Sequence, residues 1–385
     1  MHILALMRIA VGLAVGLAAV PAVAQPAFDT KAKHAILMDY DSGTVLFEKA
    51  ADEPTPPASM AKMMVAEYVF NALKHGRLSL DDEFTVSEHA WRTGGAASGG
   101  STMFAQLNSR IRLEDLLRGM IVQSGNDAAI VIAEGIAGSE FAFSDLLNKR
   151  AKEIGLENST FRNATGLPDP EQRVTVRDLA MLARHIIREY PDLYKMFAEP
   201  EFTWNKITQR NRNPLLNEGI GADGLKTGYI AEAGYGLTAS AVANTQRLIL
   251  SMNGLSSPRE REQEARKLME WGFRSFRQVT LFEPDEVVAE ASVYGGVQGR
   301  VPLKAEGAVR VLVARSGESD LKAQAVYTGP LMAPVAANQE VGTLKIWNGD
   351  QLIQETPLHT AGDVGRGSLH QRAFDALGEL LLGWL

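Results

Sequence analysis

From residue 31 to residue 230, short apolar strand-like runs are mixed with amphipathic helical segments, whereas beyond Leu281 the chain becomes a series of short alternating strands. This change of periodicity constrains the fold most. A strand–helix mixture builds layers of sheet and helix, while pure alternation builds an all-β unit. At 385 residues the chain also exceeds the ~100–200 residues of an ordinary domain. The expectation is an α/β (α+β) layer domain over residues 25–278 and a small all-β domain over residues 279–365, with separate features at both ends.

Within the first part, apolar runs at residues 34–39 and 44–48 flank Tyr40-Asp41-Ser42-Gly43, a turn-forming set that suits a β-hairpin. Residues 54–57 carry three prolines and break the chain. Met60, Met64, Val65, Tyr68, Val69 and Leu73 then follow at helical spacing, with Gly76 as a stop. Further helices are expected over residues 111–121 and 127–136, the latter entered through Gln123-Ser124-Gly125-Asn126. Thr175-Val176-Arg177-Asp178 has capping-box spacing and opens a helix through Ile187. Strand-like runs at 237–242 and 248–252 lie beside Lys226-Thr227-Gly228, and a helix over 260–271 closes the domain near Phe276. In the second part, runs at 309–314, 321–327 and 341–347 are strand-like. The last is joined through Asn348-Gly349 to a run at 352–356, a strong hairpin cue.

The N-terminus reads as a secretory signal peptide over residues 1–24: Arg8 supplies charge, residues 9–20 are apolar, and Ala22-Val23-Ala24 is a small-x-small cleavage site. The apolar run is shorter than the ~20 residues of a spanning helix, which argues against an uncleaved anchor. The chain has no cysteine, so an exported fold is held by packing alone. Its 39 Lys plus Arg against 46 Asp plus Glu give a formal charge of −7, which excludes the basic footprint of a nucleic-acid binder. At the other end, residues 366–385 place Leu369, Ala373, Leu377, Leu380, Leu381 and Trp384 on one helical face. Such a helix either packs on the β unit or lies in a membrane interface. Its charges nearly cancel, so apolar burial would supply the affinity for lipid.

Three motifs carry chemistry: Ser59-Met60-Ala61-Lys62, Ser124-Gly125-Asn126 and Lys226-Thr227-Gly228. Each alone is weak, since a helix cap, a solvated lysine and an edge strand would explain them one at a time; their weight lies in order and complementarity. Residues i and i+3 of a helix share a face, so Lys62 sits where a base for the Ser59 hydroxyl is needed. To be neutral at pH 7 a lysine must lose about 4–5 kcal/mol of ammonium stability, and burial or a neighbouring cation provides it. Lys226 is a candidate for that cation and for a fixed positive charge toward an anionic substrate. Ser124 is placed to relay a proton to a leaving nitrogen, and Asn126 to hold a substrate amide. Gly228 would let a ligand lie against its strand, and the backbone N–H groups of Ser59 and Tyr229 would form an oxyanion hole.

Competing sites are thinner. The stretch 94–100 is glycine-rich but lacks the Gly-Lys-Ser/Thr ending of a phosphate loop, and reads as a flexible surface loop beside the site. The seven histidines show no metal-ligand spacing, and no Gly-x-Ser-x-Gly elbow is present.

On these motifs, together with Asn211-Arg212-Asn213, Asp223-Gly224-Leu225 ahead of Lys226, Ala233-Gly234-Tyr235 and the β tail with its terminal helix, the chain resembles the low-molecular-mass penicillin-binding proteins, specifically the D-alanyl-D-alanine carboxypeptidases. The resemblance implies a serine β-lactamase/transpeptidase-like domain and no cofactor. It implies Ser59 as acylated nucleophile, Lys62 as base, Ser124 and Asn126 as second-motif residues, and Lys226 and Thr227 as substrate anchors. Arg212 would help bind the terminal carboxylate of a peptidoglycan stem peptide, because a guanidinium takes a carboxylate bidentately. A β-lactam would trap the same serine, and the export signal with the 366–385 helix gives the separate expectation of a periplasmic protein attached to the outer face of the inner membrane. One departure is Tyr229-Ile230 after Lys-Thr-Gly, where close relatives often have His-Thr. The rival readings are a β-lactamase, for which the common Glu-x-x-Leu-Asn pattern is missing, an endopeptidase or transpeptidase on the same fold, and a non-catalytic cell-wall scaffold.

Overall fold

The computed structural model describes residues 28–316 and 320–371. The expected signal peptide and residues 372–385 of the expected terminal helix lie outside the described residues. Along the chain, β1 (His34–Asp39) and β2 (Val45–Lys49) form the hairpin read from the sequence. A 3-10 turn at Ala58–Ala61 runs into α1 (Lys62–Lys74). The short strands β3 (Glu83–Thr85) and β4 (Arg110–Arg112) bracket the glycine-rich stretch. Then come α2 (Leu113–Val122), α3 (Asn126–Ala137), α4 (Glu140–Glu153) and α5 (Val176–Glu189). One turn, α6 (Pro191–Tyr194), leads to the hairpin of β5 (Glu201–Trp204) and β6 (Ile207–Arg210). The long strands β7 (Ala222–Ile230), β8 (Gly234–Ala243) and β9 (Gln246–Leu255) precede α7 (Pro258–Ser275).

These strands make one antiparallel sheet in the order β2-β1-β9-β8-β7, so the domain is α+β in its pairing. Both faces are buried, as the alternation of β1 shows: Ile36 and Met38 join the core under α1 to α5, while Ala35 and Leu37 join the core under α7. Each such large side chain contributes roughly 1.5–3 kcal/mol of burial. The sandwich leaves β7 at a sheet edge, with the 3-10 turn packed against it.

Local details differ from the sequence reading in three places. Thr175 caps α5 by accepting from the Asp178 N–H at 3.0 Å, but Asp178 does not reciprocate. Its carboxylate instead accepts from Asn158 N and Ser159 Oγ, fastening the preceding loop. The stretch 94–100 is not simply a surface loop: Gly94, at the end of a π turn, and Gly95 are buried, and only residues 96–100 are exposed. The hairpin cue at Asn348-Gly349 is displaced by one residue, because the strands close Asn348 on Gln351 and the turn centres on Gly349 and Asp350.

The second part comprises β10 (Phe276–Phe282), β11 (Val287–Tyr294), β12 (Arg300–Ala305), β13 (Val309–Ala314), β14 (Leu321–Tyr327), β15 (Leu331–Met332), β16 (Glu340–Asn348) and β17 (Gln351–Thr360). β10 pairs with β13, and the others form a sheet in the order β14-β16-β17-β12-β11-β15 around their own core. β10 spans residue 278, so its pairing joins both sides of the expected domain boundary to the β unit. The Thr44 hydroxyl, in the β1–β2 turn, donates to Ile353 O at 2.6 Å, tying the two parts together. Among the described residues no helix is long and apolar enough to cross a membrane.

Candidate active site

Ser59 lies in the 3-10 turn rather than in α1 itself, preceded by Ala58 at φ +47°. In 3-10 geometry residues i and i+3 eclipse, which aligns Ser59 with Lys62 more closely than an α-helix would. The Lys62 Nζ is 3.0 Å from Ser59 Oγ, 2.8 Å from Asn126 Oδ1 and 2.5 Å from Thr165 O. Two of these partners are carbonyl oxygens and can only accept. A neutral amine has two hydrogens, and they satisfy those two oxygens, which leaves the lone pair facing the Ser59 hydroxyl. Lys62 is 1% exposed. Burial first, and the Arg212 cation second, push its pKa down from 10.5 to about 7, against the opposing pull of Asp127 and Glu140.

The second motif is fixed by its surroundings. Ser124 sits at φ +63°, a conformation that costs a non-glycine residue about 1–3 kcal/mol and is retained where the surroundings enforce it. Its Oγ is buried and without a hydrogen-bond partner among the described residues. Asn126 begins α3, and its N–H donates to Ser101 O at 2.7 Å. The buried Asp127 carboxylate accepts from Met103 N, Ala105 N, Ala128 N and the Thr102 hydroxyl, locking residues 101–105 onto the start of α3.

The third motif occupies the edge strand β7. Lys226 is buried, and among the described residues its Nζ donates only to Thr227 O, at 3.3 Å. Its pKa is held well below 10.5 by burial, then by Lys62, Arg212 and Arg261. This bears on the expectation of a fixed positive charge: burial and the neighbouring basic groups both disfavour the ammonium. Gly228 lines the groove and has a second role. A Cβ there would stand 2.9 Å from Pro57 O and 3.1 Å from Ala58 Cβ, so glycine lets the 3-10 turn carrying Ser59 press against β7. Tyr229 is 53% exposed and stacks on Tyr235, its cross-strand partner, with centroids 4.1 Å apart.

Arg212 donates to Ser101 Oγ at 2.6 Å. Its flanking asparagines hold the loop: Asn211 Nδ2 donates to Phe197 O and Glu199 O, and Asn213 Nδ2 to Gly224 O on β7. Ser59, Ser124, Asn126, Arg212, Thr227, Gly228 and Tyr229 all line one groove of about 620 Å³, with Lys62 and Lys226 buried behind its wall. All nine residues singled out in the sequence are therefore brought to one place. Sequence reading missed the Thr165 carbonyl, the Gly166 backbone beside it and Arg261. Arg261 lines the groove from the first turn of α7, 5.9 Å over the Tyr235 ring, with a buried Nε that has no partner among the described residues.

Residues 19–255 match the D-alanyl-D-alanine carboxypeptidase model of peptidase family S11, and residues 276–366 match the C-terminal domain of penicillin-binding protein 5. The D-alanyl-D-alanine carboxypeptidase DacC of Escherichia coli strain K12 is 41% identical over 361 residues, covering 93% of this chain and 90% of the relative. DacA of Haemophilus influenzae is 37% identical over 345 residues, covering 89% and 87% respectively. Among solved structures, penicillin-binding protein 5 from Haemophilus influenzae superposes with a TM-score of 0.79 at 37% identity, over 89% of this chain and 99% of that one. Penicillin-binding protein 6B from Escherichia coli gives 0.69 at 33% identity, over 88% and 98%.

Proposed function

The chain belongs to the D-alanyl-D-alanine carboxypeptidase family, a serine peptidase of cell-wall metabolism with the two-part fold of penicillin-binding protein 5, and from that premise we propose which of its residues perform the reaction. A stem peptide ending in D-Ala-D-Ala lies along β7, its terminal carboxylate toward Arg212, Thr227 and Lys226. Ser59 Oγ attacks the penultimate carbonyl while Lys62 Nζ takes its proton, and the oxyanion forms between the backbone N–H groups of Ser59 and Tyr229. Ser124 passes the proton to the leaving nitrogen, D-alanine departs, and water hydrolyses the Ser59 ester. A β-lactam enters as the peptide does and acylates the same hydroxyl.

The observation that carries this reading is the pattern of contacts at Lys62, whose two carbonyl partners leave its lone pair on Ser59. Ser59→Ala is expected to abolish both labelling by a fluorescent penicillin and release of D-alanine from a D-Ala-D-Ala tripeptide; labelling of the variant would refute the assignment. The finer cellular placement rests on the two termini. A signal peptide over 1–24 exports the chain to the periplasm, and the helix over 366–385 attaches it to the outer face of the inner membrane through its apolar side. Leu369, at the start of that segment, is 77% exposed.

A further inference from the structure

We infer that Asn163 is a positioning residue for the base, acting through the carbonyl of Thr165; this rests on Lys62 as the base of the proposed reaction. The Asn163 Oδ1 is a hub for the turn that follows it. It accepts from Gly166 N at 2.8 Å, Thr165 Oγ1 at 3.0 Å, Thr165 N at 3.2 Å and Gln172 Nε2 at 3.3 Å. The other end of the amide donates to Leu167 O at 3.1 Å. Around one side chain the backbone from Asn163 to Leu167 is thus wound into an Asx turn, and the Thr165 carbonyl inside it points at Lys62 Nζ.

The turn is also pressed onto the first motif. Gly166 has φ +82°, and a Cβ there would lie 1.8 Å from Ala58 O and 3.0 Å from Ser59 N. The loop therefore presses on the peptide bond between Ala58 and the nucleophile while its preceding carbonyl receives a Lys62 hydrogen. The consequence for chemistry follows from the shape of an amine. Rotation about Cε–Nζ has three staggered wells. With Asn126 Oδ1 and Thr165 O both accepting, one well satisfies both hydrogens, and it aims the lone pair at Ser59 Oγ. With Thr165 O displaced, a single acceptor no longer selects that well, and the base is present but misaimed.

A residue that only shapes a surface turn would lower stability, or substrate affinity and turnover together. A residue that aims the base lowers the acylation step and spares the initial complex. Stopped-flow acylation by a fluorescent penicillin separates the two, with each variant read on the high-pH plateau of its own profile so that a change in Lys62 protonation is not taken for misaiming. Asn163→Ala is expected to slow the first-order acylation constant about 10- to 100-fold, the scale of a small misplacement of a reacting group. The dissociation constant of the initial complex should stay within about twofold of wild type. Asn163→Asp keeps the accepting oxygen and should recover most of the rate; Asn163→Ser, a weaker turn acceptor, should fall between. Normal acylation by Asn163→Ala, a parallel loss of affinity, or Asn163→Asp as slow as alanine overturns the inference. Should Asn163→Ala fail to fold, the order of the Asp and Ser variants decides, and equal rates overturn it. Lys62→Ala is run beside them: if it acylates normally the base assignment itself fails, whereas if it is inert and Asn163→Ala is normal, only the role of Asn163 fails.

Discussion

The pH dependence of Ser59 acylation tests the physical core of the proposed mechanism. Lowering the Lys62 pKa from 10.5 to about 7 destabilises its ammonium by about 5 kcal/mol at ~1.4 kcal/mol per pH unit. An ordinary lysine would be neutral in about one molecule in 3,000 at pH 7, whereas Lys62 is neutral in about half. The sign follows from the direction of the shift: below the lowered pKa the amine is protonated and cannot accept the serine proton. The second-order constant for acylation, which reports the free enzyme, should rise about tenfold per pH unit below pH 6, bend near 7 and level off above 8. The measurement is fluorescent-penicillin acylation between pH 5 and 9.5, a range over which the drug's carboxylate stays ionised. Arg212→Gln removes the second cause of the depression, so its midpoint should move to higher pH while burial still holds it below that of a free lysine. A flat wild-type profile, a midpoint near 10, or an acid shift in Arg212→Gln would refute the reasoning.

Arg212→Gln should also weaken substrates bearing a free terminal carboxylate by about 1.5–3 kcal/mol in kcat/KM, the worth of a charged hydrogen bond; unchanged kcat/KM for the tripeptide rejects that role. Gly228→Ala drives a methyl against Pro57 O and Ala58 and should cost about 1–3 kcal/mol of stability by urea denaturation, with slower acylation as the turn carrying Ser59 is pushed off β7. Glu67 is fully buried in α1 and accepts from Arg150, His185 and Tyr190, so Glu67→Leu should destabilise the fold by about 3–5 kcal/mol; a loss below 1 kcal/mol in urea would show the network to be dispensable. Burial pushes the Glu67 carboxyl up, but the His185 and Arg150 hydrogen bonds outweigh it and hold the pKa below 4.5; its contribution is present above pH 4.5 and is lost as pH falls through the folded value. Deleting residues 369–385 should move the protein from the membrane to the soluble fraction, and an unchanged distribution refutes attachment by that helix.

The parts of this molecule legible in sequence are those written in side chains. Ser59, Lys62, Asn126 and Lys226 announce themselves by type and spacing, and β1, α1 and α5 by periodicity and a cap. Where reading failed, the determinant was burial or backbone. Residue type marks Lys226 as cationic but does not show the burial and the neighbouring basic groups that disfavour its ammonium. Thr165 acts through a carbonyl that any residue would supply, so only the asparagine two positions earlier hints at it. Gly228 reads as room for a ligand and does line the groove, but its closeness to Pro57 O and Ala58 is not visible in sequence. Arg261 belongs to a helix assigned on other residues, and only packing of α7 across the sheet brings its first turn to the groove.

Burial, rather than the neighbouring cation, has to be the main cause of the low Lys62 pKa, because substrate binding cancels the cation. A carboxylate seated against Arg212 offsets the positive field that helps keep Lys62 unprotonated, and at an effective dielectric of about 20 a charge pair at contact is worth about 4 kcal/mol. Were that field dominant, the enzyme would protonate its own base on binding. Burial survives binding, and a peptide filling the groove excludes more water from Lys62 Nζ. The first-order acylation constant at saturation, which reports the complex, should therefore show a midpoint moved upward from that of the free enzyme yet still well below 10.5. If the bound midpoint instead reached that of an ordinary lysine, burial would not be the dominant cause, and the base would have to be sought elsewhere than Lys62.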